Sequence, residues 1–223
     1  MRRFLAPALP GQGGLVRLSP EVSHHLLRVA GIAPGEAVVL FDGEGRQAGA
    51  ILRGVEAGQA LLEQQEVAAS LRVEPVHLLV AVCKHAAMDT LLRMATELGA
   101  THIQPLHCAR SVATGDRGDR WERIAEGAAA QCGRADLPTI GAVLPLAAAL
   151  AALPEGLTRR VFVPGGPRRG TLAPPCALLL GPDGGLSAAE VDLALAAGFE
   201  AEGLGPRILR ADTAVAAALA RVG

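Results

Sequence analysis

What this sequence lacks narrows its reading before any motif is considered. Lysine is almost missing: Lys84 stands alone, and every other basic side chain is an arginine. That bias, alongside heavy use of Ala, Gly, Leu and Pro, reads mainly as genomic base composition. The formal net charge is −1, so no global excess of positive charge steers the chain toward phosphates, and any nucleic-acid contact must come from local patches. Cysteine is sparse. Cys83, Cys108, Cys132 and Cys176 lie far apart, form no C-x-x-C pair and have no histidine at ligand spacing, which argues against a zinc site or a disulfide framework. Long hydrophobic runs are missing too. The longest, at 143–153, contains Pro145 and falls short of the about 18 residues that span a bilayer. Near the start, Pro7 and Pro10 interrupt the apolar stretch before a signal-peptide core can form. The expectation is a soluble protein in a reducing, cytoplasmic setting, with no metal and no membrane.

Half of the 223 residues are apolar, enough for a packed core, and the length suits one or two domains. Up to about residue 70, short apolar runs alternate with turn residues: AVVLFD at 37–42, the turn GEG at 43–45, AGAIL at 48–52 and QALL at 59–62. Such runs predict a small antiparallel sheet or barrel. Ser19-Pro20-Glu21 puts a capping serine before a proline at the first helical position, which predicts a helix over 21–29. Beyond Pro75 the period changes. VHLLVAVC at 76–83 is a continuous apolar strand, and a helical stretch over 88–98 stops at Gly99. The alternation continues with a strand at 102–106, helices near 121–132 and 146–153, and strands at 161–163 and 177–180. It closes with a helix at 188–197, a short strand near 200–204 and a helix at 211–222. Strands alternating with helices imply an α/β fold with a parallel sheet covered on both faces. The boundary falls between Ser70 and Pro75, giving domains 1–70 and 71–223.

Three strings carry chemistry. In LLLGPDGGLSAAE at 178–190 a buried strand runs into Gly181-Pro182-Asp183-Gly184-Gly185, and Ser187 with Glu190 forms a capping box at the start of a helix. The glycines either make a tight turn or let a ligand approach the backbone at the carboxyl end of a parallel strand. In LGPRILRADTA at 204–214, Pro206 fixes a turn, Arg207 and Arg210 are expected on the first turn of a helix, and Asp212-Thr213 keep its start polar. These arginines are either a solvated helix start or part of a site. In TELGATHIQPLHCARS at 96–111 a helix end, a turn and a strand lead to Arg110-Ser111; Glu97 and Arg110 are surface charges or site residues.

Together these strings resemble one family, the uracil-N3 methyltransferases of small-subunit (16S) ribosomal RNA, members of the SPOUT superfamily. Its pattern runs TELG-x-x-x-I-x-P ending in RS, then G-P-E-G-G-F-S-x-x-E, then L-G-x-R-I-L-R-x-E-T-A. The likeness covers the whole chain, because HHLLRV at 24–29 and PGEAVVLFDGEG at 34–45 resemble the family's PUA-like N-terminal barrel. Asp183 and Asp212 stand where the family has Glu, and Leu186 where it has Phe. Ala30-Gly31 replaces a Leu-Arg pair, Met94 a Lys, and Ala130 an acidic residue before Gln131.

The resemblance implies a PUA-like β-barrel followed by a SPOUT α/β domain with a parallel sheet and a trefoil knot, a rare exception to unthreaded connections. It implies S-adenosylmethionine as cofactor, with S-adenosylhomocysteine as product, held around Leu180, Gly181, Gly185, Leu204, Gly205, Arg207, Ile208 and Leu209. A uracil nitrogen is a poor nucleophile while protonated. Arg110 or Arg210 is therefore expected to stabilise charge on the ring oxygens, with Glu97 or Asp183 as proton acceptor or orienter. RNA contacts are expected at Arg2, Arg3, His24, Arg28, Arg117 and Arg120; for His24 and its neighbour His25, packing or RNA contact is favoured over a role as titrating base, because they sit in the other domain. Expected partners are ribosomal RNA, within the small subunit, and a second copy of the chain. A transfer-RNA methyltransferase or a non-catalytic RNA-binding protein of the same fold remains open, as does a nucleotide-dependent enzyme, which would lack the G-x-x-x-x-G-K loop.

Overall fold

The computed structural model describes residues 1–6, 8–68, 73–111 and 118–223. The chain separates into two compact units, Met1–Arg72 with Glu126–Leu137, and Val73–Ala125 with Pro138–Gly223.

The first unit holds β1 (Arg3–Leu5), β2 (Leu15–Arg17), α1 (Pro20–His24), β3 (Ala37–Phe41), β4 (Gln47–Glu56) and β5 (Gln59–Ala68). Ser19 caps α1 through its hydroxyl, which accepts from the Val22 amide, and the helix widens into a π-helical turn over His25–Val29. The sheet order is β1-β3-β4-β5-β2, antiparallel except where β1 pairs with β3. Ala57 (φ 50°) and Gly58 (φ 81°) both adopt positive φ between Glu56 and Gln59, the two-residue turn whose twist matches a right-twisted hairpin. Alternate residues Ala48, Ala50 and Leu52 of β4 are buried and meet Leu26, Leu40 and Leu62 in one core. The expected barrel is an open sheet in this structure: its edges are β1 and β2, three residues each, and they pair inward but not with each other. The segment Glu126–Leu137 joins this unit as a strap, because the Gly45 amide donates to the Ala135 carbonyl and the Leu137 amide to the Gly43 carbonyl.

The second unit contains β6 (Val76–Ala81), α2 (His85–Glu97), β7 (His102–His107), α3 (Gly118–Cys132, whose last turns belong to the strap), β8 (Thr139–Ile140), β9 (Leu144–Pro145) and α4 (Leu146–Ala151). It continues with β10 (Thr158–Phe162), β11 (Cys176–Leu180), α5 (Ala188–Ala196), β12 (Glu200–Glu202) and α6 (Ala211–Leu219). Strand order is β12-β10-β11-β6-β7-β8, with β9 also on β7, and every pairing is parallel. Side chains alternate across the central strands. Leu78, Val80, Leu178 and Leu180 pack with Leu91, Leu92, Val215 and Leu219, while Leu79, Ala81, Ala177 and Leu179 pack with Leu146, Leu150 and Phe199. Each buried leucine gains about 1.5–3 kcal/mol by leaving water. Covering both faces is what makes β11 apolar at all five positions. Because β10, β11 and β12 are parallel neighbours, their carboxyl ends open side by side, where α/β sheets bind ligands.

Candidate functional site

Three strand ends build one cavity. Phe162, Val163 and Pro164 come from the end of β10; Leu180 and the turn Gly181 to Gly185 follow β11; Leu204, Gly205, Arg207, Ile208 and Leu209 follow β12; Ala211 and Ala214 of α6 complete the lining. All eight positions expected to hold a cofactor therefore meet in one place. Gly181 is required by space, since a Cβ there would sit 2.7 Å from the Leu186 amide nitrogen. Gly205 is required by conformation, at φ 130°. Apolar side chains and glycine backbone together suit a flat heterocycle that carries polar edges.

The turn after β11 is held from two sides. Within it, the Gly185 amide donates to the Pro182 carbonyl at 2.7 Å. Asp183 reaches across to α6, where its Oδ1 accepts from the Ala211 amide at 3.1 Å; the carboxylate thus sits at the positive end of that helix. On the other side Arg110 Nη1 donates to the carbonyls of Gly184 (2.8 Å) and Leu186 (3.4 Å). Arg110 lies in a shallow groove that shares Phe162, Gly184 and Gly185 with the cavity and adds Asp192. Glu190 locks the next element. Its carboxylate accepts from the Ser187 amide and hydroxyl, completing the capping box, and also from the Ala109 amide at 2.7 Å. Burial raises the Glu190 carboxyl, but these amide and hydroxyl bonds outweigh it and leave the group below its ordinary value. Beside it the Cys108 thiol is pushed up to about 12 by burial and by the Glu190 charge, so it is a thiol at neutral pH and no nucleophile.

Several expected residues fall elsewhere. Glu97 is the exposed last residue of α2 and does not line the cavity. Helix α2 starts after the carboxyl end of β6 and runs back along the sheet, and 13 residues at about 1.5 Å each carry Glu97 to the opposite end. Arg207 and Arg210 do not share a helical turn: α6 begins at Ala211, Arg210 is its N-cap residue, and both arginines are exposed without an ion-pair partner among the described residues. Arg3 is structural. Its Nη2 donates to Gln47 Oε1 (2.8 Å) and to the Arg134 carbonyl (3.1 Å), and its guanidinium carbon lies 5.6 Å from the centre of the Phe41 ring. Arg120 pairs with Asp89 through two nitrogens, so its charge is already compensated. Arg2, His24 and Arg28 are exposed on the first unit. Arg117 lies outside the described residues. Sequence reading missed Phe162, Val163, Pro164, Ala211 and Ala214; the signal for the first three was a strand running into Pro-Gly-Gly at its carboxyl end. Among the described residues, no group of three or more His, Cys, Asp or Glu could hold a metal ion, and no helix is long and apolar enough to cross a membrane.

Comparison with known proteins adds a second line of observation. A family model described as an RNA methyltransferase domain matches residues 70–223. The ribosomal RNA small subunit methyltransferase E of Synechocystis sp. is 34% identical over 218 residues, covering 93% of this chain and 72% of that protein. The protein of the same name from Mycobacterium bovis is 32% identical over 243 residues, covering 99% of this chain and 90% of that one. The crystal structure of a ribosomal RNA small subunit methyltransferase E from Neisseria gonorrhoeae bound to S-adenosyl methionine superposes with a TM-score of 0.91 at 30% identity, covering 99% of this chain and 95% of that one.

Proposed function

We propose, on the premise that this chain belongs to the family of the ribosomal RNA small subunit methyltransferases E, that it transfers a methyl group from S-adenosylmethionine to N3 of one uridine in 16S ribosomal RNA. The observation that carries the reading is the single cavity formed where β10, β11 and β12 end. Its residues fit the cofactor: Leu180, Leu204, Ile208 and Leu209 offer apolar walls for adenine, and Gly181, Gly185 and Gly205 leave backbone groups uncovered for the ribose and amino-acid ends. When bound, S-adenosylmethionine supplies an electrophilic methyl on its sulfonium; S-adenosylhomocysteine leaves.

The chain's own residues supply the rest. Arg210 lies between Leu209 and Ala211 of the cavity lining, and Arg110 lines the adjoining groove; in this reading both stabilise negative charge on the uracil oxygens as N3 loses its proton. Asp183 holds Ala211 with one oxygen and takes the proton on the other. In this reading the first unit is a PUA-like RNA-recognition module presenting Arg2, His24 and Arg28. The second is a SPOUT domain whose trefoil knot threads where Gly166 and Gly203 cross. There a Cβ on Gly203 would lie 2.3 Å from the Gly166 carbonyl oxygen, so only bare backbone fits. A cytoplasmic homodimer formed through the second unit would cover Ile208, 82% exposed beside the cavity.

Isothermal titration with S-adenosylmethionine and with ATP, followed by methylation of small-subunit RNA and nucleoside mapping, tests the reading. Binding of the first ligand alone and 3-methyluridine in 16S RNA are expected. A methyl group on transfer RNA, or cofactor binding without transfer to any RNA, would replace it. Sedimentation at micromolar concentration tests the dimer, and an active monomer would refute it.

A further inference from the structure

Glu202 is 1% exposed, and a buried carboxylate is costly unless it is paired. Its charged partners come from two directions. Arg160 of β10 approaches Oε2 with its Nε at 3.4 Å, and Arg221, beyond α6, brings Nη2 to 2.8 Å from Oε1. That second contact pairs the charges without the alignment of a hydrogen bond, which leaves Oε1 without a donor. The donors of Arg221 Nη2 go instead to the carbonyls of Arg169 and Gly170 (3.3 Å to the latter). Arg169 in turn donates to the Ala201 carbonyl and pairs with Glu200, which also pairs with Arg160. The backbone of Glu202 takes part as well: its carbonyl accepts from the Val163 amide, and the next amide, of Gly203, donates to Pro167.

None of the ion-paired side chains lines the cavity, yet two of the segments they tie do so within a few residues: Phe162 to Pro164 after Arg160, and Leu204-Gly205 after Glu202. We infer that Glu202 is a positioning residue for the cofactor, a buried counter-charge that lets Arg160 and Arg221 fix the β10 end, the loop at 164–170 and the β12 end in the register that gives the cavity its walls. This rests on the reading of that cavity as the S-adenosylmethionine site. Stability alone is a poor reason for such a network, because apolar replacements of buried ion pairs are often as stable; defining one arrangement of three crossing segments is a better one.

The test uses the full chain and reads S-adenosylmethionine affinity by titration, KM for cofactor and for RNA, kcat at cofactor saturation, and melting temperature. Glu202→Gln keeps the shape and removes the charge. Expected is a cofactor Kd and KM weaker by about tenfold to a hundredfold, with kcat at saturation and KM for RNA within about twofold. Glu202→Asp should fall between that variant and the parent. Arg53→Ala, which breaks an exposed pair with Glu63 on the first unit, should match the parent. Unchanged cofactor affinity in folded Glu202→Gln, or a fall in kcat at unchanged affinity, would overturn the inference. If Glu202→Gln does not fold, Arg221→Lys decides: it keeps the charge but, with a shorter reach and no planar guanidinium, does not put a donor where Nη2 meets the Arg169 and Gly170 carbonyls, so parental affinity there is equally fatal. A parent chain that does not bind S-adenosylmethionine would remove the cofactor reading itself, whereas a binding parent with indifferent variants removes only the role of Glu202.

Discussion

The second unit shapes its site mostly with backbone, and the first offers mostly side chains. After β11 and β12 the cavity depends on where glycine permits a turn or a close approach, and the polar side chains nearby, Asp183, Arg110 and Glu190, hold amides and carbonyls in place. The first unit exposes Arg2, His24 and Arg28 to solvent from outside its sheet, while Arg3 is drawn inside to hold the strap. A backbone-built cavity tolerates many side-chain changes and fails abruptly when bulk is added. A charged surface loses affinity in small, salt-dependent steps.

The largest expected effect breaks the first half of that contrast. Gly181→Val puts branched bulk against the Leu186 backbone, which cannot rotate away as a side chain would, and Gly205→Val forces a β-branched residue to φ 130°. Each should weaken S-adenosylmethionine binding by about a hundredfold or more in titration, while binding of small-subunit RNA changes little. Parental cofactor affinity in both variants would show that the cavity lies elsewhere.

Both corners were legible in the sequence because local chemistry determines them: Gly and Pro directly after each strand, and, beyond β11, a Ser-x-x-Glu box that closes as its spacing implies. The parallel sheet was legible for the same reason, in apolar runs alternating with helix-length segments. What the sequence hid depends on distance through space. Arg3 looks like an exposed basic residue, but its partners Gln47 and Arg134 lie 44 and 131 residues away. Glu97 sits in a family-like string, yet one helix length separates it from the strand ends. Membership of Glu126–Leu137 in the first unit is a tertiary fact, since nothing in a helix C-terminus announces which sheet its strap will join. The short β8 and β9, two residues each, were below the length at which periodicity speaks.

A middle-sized effect separates the two arginines at the start of the chain. Arg3→Ala removes two hydrogen bonds and a ring contact from a part-buried guanidinium and should cost about 1–3 kcal/mol in urea unfolding, with the salt dependence of RNA binding unchanged. Arg2→Ala combined with Arg28→Ala should do the reverse, leaving stability alone and flattening log K against log salt by about 1 for each phosphate that is no longer neutralised. If Arg3→Ala flattened that slope as well, its guanidinium would have to reach RNA from a site that already occupies it.

The smallest effect tests whether the second unit is indifferent to its side chains away from the cavity. His77 of β6 and His102 of β7 are register partners, and their rings stack with centroids 4.2 Å apart. Burial, then the neighbouring His102, lowers His77 to about 4, and burial lowers His102 as well. In the unfolded chain His77 takes up its proton near the ordinary value of 6.5, so between pH 6.5 and about 4 the unfolded state binds more protons than the folded one. Stability must then fall as pH falls through that window and level off below it. Solvent screens a half-exposed pair, so the loss should be about 1 kcal/mol, well under the value of a fully buried shift. Glu190 and Asp42 act lower: held below their ordinary values, they lose their contribution only as acidification protonates them beneath the usual carboxylate range. His77→Gln removes the titrating ring and should flatten urea-unfolding stability between pH 6.5 and 4 while leaving the steeper acid limb intact. His102→Gln removes one of the two causes and should shorten the window from its acid end. An unaltered slope in His77→Gln would place the pH dependence on other groups and leave the stacked pair as inert packing.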